Sequence, residues 1–451
     1  MSDERPLIGD LGDPFEGSSR IALIVGMTAL SLGIGFVVGL GISLLLKFMN
    51  LGISLLWKTL PARVGAWWLP LAICPVGGLL IGWWNARFDA APRPLMEVLA
   101  EVRRSGGCHL DNAPASVVAF LLPLVFGGAI GPEAGLTGLI AAAVTWIGNT
   151  LRRAGLRAKT LADVTVSATI SAVFGAPFAG VVAAYDSMPD AGDMRDDAEV
   201  SESAKAPGAE DPRRFTFRRI AKTILYTAAA GGAFTGMRLA ARLAGGMSGL
   251  PRFEAIQMPL SDGLWVIVCV LAGYVLACVF HASTLMMGRA GRRLEAHPVT
   301  KGLICGIVLG ILGVCLPYVL FSGEEQSREI VETWRGIPSI VLVLTACFKA
   351  FATPLCLSMG WRGGEIFPNI FTGVTCGFAI AALTGIDPMF CITTTTAAYV
   401  AGVMRKPLLA ACLLLLCFPV TGLLWMVSCA VAGAYLPMPG LAPMPSRRKR
   451  G

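Results

Sequence analysis

Phe126-Gly127-Gly128-Ala129-Ile130-Gly131-Pro132-Glu133-Ala134-Gly135 places one carboxylate inside a glycine-rich break between two long apolar runs. An ionisable side chain at membrane depth is costly and usually faces a cavity or a pathway. Glycines on both sides let the backbone turn and present its N–H groups, and the apolar run that follows can start a helix there. The stretch reads as an ion site with a negative side chain beside it.

Its surroundings set the class. Of 451 residues, 55% are hydrophobic and only 15% are charged, and the mean hydropathy is +0.68. A soluble domain carries roughly a quarter charged residues. The chain is therefore read as an all-α, multi-pass membrane protein. Spans of about 20 apolar residues can be placed along it, together with segments too short to cross.

Residues 1–20 are polar and mixed in charge, without the pattern of a cleavable leader, and are read as a cytoplasmic N-terminal segment. Residues 21–185 form a first membrane repeat. Residues 186–218 carry Asp193, Asp196, Asp197, Glu199, Glu202, Glu210 and Asp211 among prolines and glycines. Too polar to span and too poor in apolar residues to fold alone, they read as a linker between repeats. Residues 219–436 form the second repeat, and residues 437–451 a basic tail ending Arg447-Arg448-Lys449-Arg450.

The two repeats share a pattern. In the first, the Gly131-Pro132-Glu133 break is followed by Gly175-Ala176-Pro177-Phe178. In the second, Arg362-Gly363-Gly364-Glu365-Ile366-Phe367-Pro368 is followed at similar spacing by Arg405-Lys406-Pro407-Leu408. Glycine-interrupted apolar segments at matching places in two halves point to an inverted-topology repeat with discontinuous helices and a midplane site.

A helix that begins in mid-membrane leaves its first N–H groups unpaired, and these groups with the helix dipole favour an anion. Arg362, at the edge of the second break, is the nearest basic residue, so the anion is held by backbone dipoles. Weak holding suits conduction, because an ion must also leave. An ionised Glu133 would itself fill such a site, so its protonation or displacement frees it; the bland reading is a glutamate that caps its helix. Glu365 either pairs with Arg362 or points to an aqueous rim.

Other classes lack their residues. The thirteen cysteines sit mostly in apolar runs without metal-ligand spacing, and the three histidines, His109, His281 and His297, do not cluster. No metal or cofactor site is expected. Intramembrane proteolysis needs a serine–histidine pair, paired aspartates or a zinc helix, and none is present, so the chain is not read as an enzyme. The net charge of +8 comes from short basic clusters, including Arg152-Arg153 and Arg292-Arg293. These suit contact with acidic lipid headgroups on the cytoplasmic side rather than nucleic acid.

At these residues the chain resembles the CLC family of chloride channels and proton-coupled chloride exchangers, over residues 21–435. Gly131-Pro132-Glu133-Ala134-Gly135 resembles the family's G-[KR]-E-G-P segment, which puts the gating glutamate on Glu133. Gly364-Glu365-Ile366-Phe367-Pro368 resembles G-x-F-x-P. The resemblance implies that the anion is bound at the two breaks: by Gly131, Pro132, Ala134 and Gly135 in the first, and by Gly364, Glu365, Ile366, Phe367 and Pro368 in the second. The amides near Ile366 and Phe367 are the expected contacts. It further implies a CLC-like antiparallel repeat of tilted and broken helices, a homodimer with one pore per subunit, and a bacterial inner or plasma membrane. Val403-Met404-Arg405-Lys406-Pro407-Leu408 resembles a late helix at the dimer interface.

The departures bear on mechanism. The family's serine ligand falls near Ala90-Ala91-Pro92-Arg93-Pro94, where no serine stands, and its central tyrosine has no counterpart. Its proton-transfer glutamate falls on Ser187, with Asp186 one residue earlier. In the second break the phenylalanine is shifted by one position. In the first, a proline precedes the glutamate and Gly135 replaces the usual proline. These features resemble a divergent bacterial subgroup of ion-transport proteins. The expectation is a chloride channel gated by Glu133. The alternative is a proton-coupled chloride or fluoride exchanger in which Asp186 stands in for the missing glutamate.

Overall fold

The computed structural model describes residues 17–65, 67–88, 113–133, 212–244, 252–253, 263–415 and 417–438. They form helices joined by short turns and two glycine-rich breaks, and among them the single piece of β pairing is an isolated bridge between Gly131 and Gly364. Among the described residues, six helices are long and apolar enough to cross a membrane. Large side chains such as Phe48, Leu271 and Ile311 point outward, as helices solvated by lipid require, while small residues face inward. Residues 212–218, read as the end of the linker, instead begin a helix, Pro212–Ala244; residues 175–178 and 186–211 lie outside the described residues.

Those residues fall into two compact units. In one, α1 (Gly17–Ser54) packs through its first part on α5 (Pro212–Ala244). The contact is made by glycines four residues apart. A Cβ on Gly35 or Gly39 would strike the Ala229 or Ala233 carbonyl, and one on Gly232 or Gly236 would strike that of Leu32 or Phe36. Only backbone fits there, which is how helices gain contact area in lipid, where the hydrophobic effect between them is absent.

The other unit contains the end of α1, which continues through a π-helical turn, Leu55–Thr59, into α2 (Leu60–Val64). It also contains α3 (Leu69–Arg87), α4 (Ala113–Val125), α6 (Trp265–Arg293), α7 (Pro298–Cys315), α8 (Glu324–Thr333), α9 (Ser339–Ser358), α10 (Ile366–Thr384), α11 (Pro388–Met404), α12 (Pro407–Leu414) and α13 (Leu423–Tyr435). Helices α3 and α7 run antiparallel, with Gly310 against Pro70, Gly306 against Cys74, Gly302 against Gly78, and Gly82 against Pro298. Phe367 to Ala381 of α10 and Phe390 to Val403 of α11 are buried without a gap. A helix that is apolar all round belongs inside a large protein. Gly273 of α6, Gly373 and Gly377 of α10, and Gly433 of α13 each bring their own backbone against that of α11.

These pairings define two ends of the unit. The start of α3 and the end of α7 share one end, which carries α8 with Glu324, Glu325, Glu329 and Glu332. The end of α3, the start of α7 and the end of α6 share the other, with Arg87, Arg292 and Arg293. Helix α9 finishes at this basic end, since the Ser358 carbonyl lies against Gly291. The chain then turns through Gly360 (φ 86°) into the second break.

Candidate functional site

The two glycine-rich breaks meet. Gly131 N–H donates to the Gly364 carbonyl and Gly364 N–H to the Gly131 carbonyl, both at 2.7 Å. Each break is thus paired by the other in a region where unpaired backbone is expensive.

Three supports fix the first break. Gly127 adopts φ 88°, a left-handed conformation open to glycine, and Trp57 Nε1 donates to the Val125 carbonyl just before it at 2.9 Å. Thr353 Oγ1 of α9 donates to the Ala129 carbonyl at 2.8 Å. Phe321 N–H donates to the Gly127 carbonyl at 3.3 Å, and the Trp57 ring meets the Phe321 ring edge-on.

Phe321 is held in turn by Lys349. This side chain is fully buried in α9, and its Nζ donates to the carbonyls of Val319, Leu320 and Phe321 at 2.9, 2.9 and 2.5 Å. Phe321 has φ 62°, unusual for a bulky residue, and the ammonium holds its carbonyl in place. A lone lysine inside an apolar span was a readable signal that the motif-based reading passed over.

At the second break, the first turn of α10 has few free donors. Pro368 has no N–H, and Asn369 N–H donates to the Glu365 carbonyl at 3.1 Å. That leaves the amides of Ile366 and Phe367. Phe367 N–H donates to Glu133 Oε1 at 2.6 Å, across 234 residues of sequence. Glu133 is 2% exposed. Its Oε2 has no hydrogen-bond partner and lies against the Cα atoms of Gly131 and Gly364, where a Cβ on either would collide with the carboxylate. The carboxylate therefore rests in a cradle of two glycines, one oxygen held by a helix-start amide and the other unpaired.

Glu365 stands at the N-cap of α10 but makes no side-chain cap hydrogen bond. Its side chain is exposed, although burial is unbroken from Phe367 onward. One turn further in, Tyr399 Oη donates to Asn369 Oδ1 at 2.8 Å inside the α10–α11 contact, a polar pair the sequence did not single out. Glu324, on α8 at the acidic end, is nearly buried. Burial pushes its carboxyl up to about 7, with Arg328 pulling it down and Glu325 up.

The structure thus brings together Gly131, Pro132 and Glu133 of the first break with Gly364, Glu365, Ile366, Phe367 and Pro368 of the second. Ala134, Gly135, Asp186, Ser187 and residues 90–94 lie outside the described residues. Among the described residues, no cluster of side chains suits a metal ion.

The chain is similar to known proteins over most of its length. A family model described as "Voltage gated chloride channel" matches residues 77–199 and 208–437. "Putative ion-transport protein YfeO" of Escherichia fergusonii is 27% identical over 380 residues, covering 80% of each chain, and the protein of the same name from Escherichia coli is similar to the same extent. Among solved structures, a CLC-type fluoride/proton antiporter aligns at TM-score 0.67 and 18% identity, over 94% of this chain and 97% of the other. A slow cyanobacterial Cl⁻/H⁺ antiporter aligns at 0.66 and 20% identity, over 91% and 93%. These two likenesses concern the fold. With the family match spanning well over half of its length, the chain belongs to the voltage-gated chloride channel (CLC) family.

Proposed function

We propose that this protein carries chloride or a similar small anion across the membrane through the site between the two breaks, with Glu133 as its gate. The observation that carries the reading is the place of the Glu133 carboxylate. It accepts the Phe367 N–H in the glycine cradle, where a helix start would otherwise offer that donor to a free anion. An ionised Glu133 and an anion compete for one donor. Passage therefore requires Glu133 to take up a proton or swing aside.

A gate that opens by protonation ties anion movement to protons, and this favours the exchanger over the passive channel expected first. The antiporters similar in fold support the same mode. The bacterial relatives and the group of Arg87, Arg292 and Arg293 at one end support an inner-membrane protein with that end in the cytoplasm. In this reading the protein works as a homodimer with one site in each subunit.

The test is chloride efflux from proteoliposomes with internal pH followed in the same sample. Glu133→Gln mimics the protonated gate, so its efflux should be at least as fast as that of the parent protein and lose its dependence on pH. Unchanged efflux with an unchanged pH profile would show that Glu133 is not the gate.

A further inference from the structure

We infer that the π-helical turn at the end of α1 is a positioning device for the gate: it aims Trp57 onto the first break, and Trp57 sets how firmly the Glu133 carboxylate is held in its cradle. The inference rests on the reading of Glu133 as the gate and adds the side chain that steadies the backbone leading to it.

The turn has a cause in the sequence. Pro61 has no N–H to give the Trp57 carbonyl four residues back, and its ring crowds that carbonyl. The helix widens over Leu55–Thr59 instead. Leu60 N–H donates to the Leu55 carbonyl and Thr59 Oγ1 to the Ser54 carbonyl at 3.3 Å, each five residues back. Single π turns inside α-helices are rare and recur at functional sites. The wider turn re-aims the side chains it carries, and Trp57 is at its centre.

Trp57 is half-buried and touches three parts of the site. Its Nε1 donates to the carbonyl of Val125, the last residue of α4, at a helix end where carbonyls lose their partners. The neighbouring carbonyls of Leu122 and Pro123 are served within the chain, by the N–H groups of Phe126 and Gly128. The indole ring lies on Gly127, where a Cβ would come within 2.8 Å of Trp57 Cζ2. Its edge meets the Phe321 ring with centroids 5.1 Å apart, and Phe321 N–H donates to the Gly127 carbonyl. Trp57 is thus wedged between the end of α4, Gly127 and the loop that Lys349 holds. From Gly127 the chain leads directly to Gly131, locked to Gly364 by two hydrogen bonds, and to Glu133. Freedom at residues 125–127 passes straight to the cradle.

An ionised Glu133 keeps the Phe367 N–H only while Gly131 and Gly364 hold their register. Loosening the first break takes more from this closed, ionised arrangement than from an open one in which the carboxyl has left the cradle. Loss of Trp57 therefore lets protons open the gate at higher pH. The charged groups around the gate are Glu324 of α8 and Glu365 at the start of α10, with Lys349 of α9 behind Phe321. The Lys58–Glu325 pair, 3.9 Å apart, lies exposed beside Trp57. Substituting Trp57 leaves all of these charges in place, so a moved pH profile reports the backbone of the break.

The experiment measures initial chloride efflux against pH for the purified full chain in proteoliposomes, with the melting temperature of each variant alongside. Trp57→Phe keeps a ring on Gly127 and removes the donor to Val125. It should speed efflux at alkaline pH by roughly 3- to 10-fold, the worth of one hydrogen bond, and move half-maximal efflux toward alkaline pH by up to about one unit. Trp57→Leu, which also uncovers Gly127, should shift it further. Lys58→Met removes only an exposed ion pair, worth little, and should keep the parental profile. In the Glu133→Gln background Trp57→Phe should change nothing, since the gate is already gone. If Trp57→Phe is not recovered folded, Phe321→Leu removes the ring that backs the indole and should shift the profile in the same direction.

A parental pH profile in Trp57→Phe, even with a lower melting temperature, would make Trp57 an ordinary packing residue and overturn the inference. So would an equal acceleration in the Glu133→Gln background, or a shift of the same size in Lys58→Met. Each of these leaves the gate standing if Glu133→Gln still abolishes pH dependence. A Glu133→Gln protein with the parental pH profile would remove the gate reading itself, and this inference with it.

Discussion

Gly364→Ala tests the cradle without touching a charge. The new Cβ would fall on Oε2 and Cδ of Glu133 and come within 3.0 Å of its Cβ. Gly364 does not have positive φ, so alanine suits its backbone, and the reciprocal hydrogen bonds with Gly131 use main-chain atoms only. What must yield is the far end of the Glu133 side chain, the most movable neighbour present. Its displacement costs the Phe367 N–H···Oε1 bond, a hydrogen bond to a charged group worth about 1.5–3 kcal/mol. The closed arrangement should therefore lose on the order of 10- to 100-fold in population, at 1.4 kcal/mol for each factor of ten. Chloride efflux should become faster at neutral and alkaline pH and nearly flat with pH, resembling Glu133→Gln. Combining the two substitutions should add little, since both empty the same place. An efflux profile for Gly364→Ala identical to the parent's, in protein of normal stability, would refute the cradle.

Two further predictions concern the frame. Lys349→Met removes the donor from the buried carbonyls of Val319 and Leu320 and the partly buried one of Phe321, and a buried carbonyl left unpaired costs about 1–3 kcal/mol. The protein should lose several degrees of thermal stability in detergent, and Lys349→Arg should lose less; equal stability of parent and Met variant would show that water replaces the ammonium. Gly306→Ala places a methyl on the Cys74 carbonyl in the α3–α7 contact, which should destabilise by about 1–3 kcal/mol through overpacking. An outward substitution, Ile311→Ala, serves as the control and should leave the melting temperature nearly unchanged.

The breaks were legible because their signal is local. Glycines, a proline and a glutamate interrupting an apolar run announce an ionisable group at depth whatever surrounds it, and Glu133 and Gly364 were found in this way. That they meet was legible only as a likeness between repeats. Pairing of Gly131 with Gly364 depends on how two distant segments are aimed, and neither segment has strand character of its own. Lys349, Thr353 and the Asn369–Tyr399 pair were missed for a related reason. Each acts on a partner remote in sequence: Lys349 on residues 319–321, Thr353 on Ala129, and Tyr399 on Asn369. Nothing in the neighbouring residues reports the contact. Glu365 lies between these cases, since its residue type was noticed, whereas its exposure at the start of α10 came from the structure.

On the proposed reading, Lys349 also helps to keep the hold on an anion weak. The ammonium is near the site, 5.2 Å from the centroid of the Phe371 ring one turn into α10 from Phe367. A full positive charge at the glycine cradle would bind an anion too firmly for rapid release, because conduction needs binding loose enough to leave. Instead the three Lys349 donors are taken by the carbonyls of Val319, Leu320 and Phe321, and these negative dipole ends screen the charge. The ammonium supports the loop that holds Gly127, and the hydrogen bond at the cradle comes from the amide of Phe367. Its partner there is a carboxylate that can take up a proton and withdraw. Weak binding and pH-dependent opening then share one cause: a neutral donor, with a titratable acceptor competing for it.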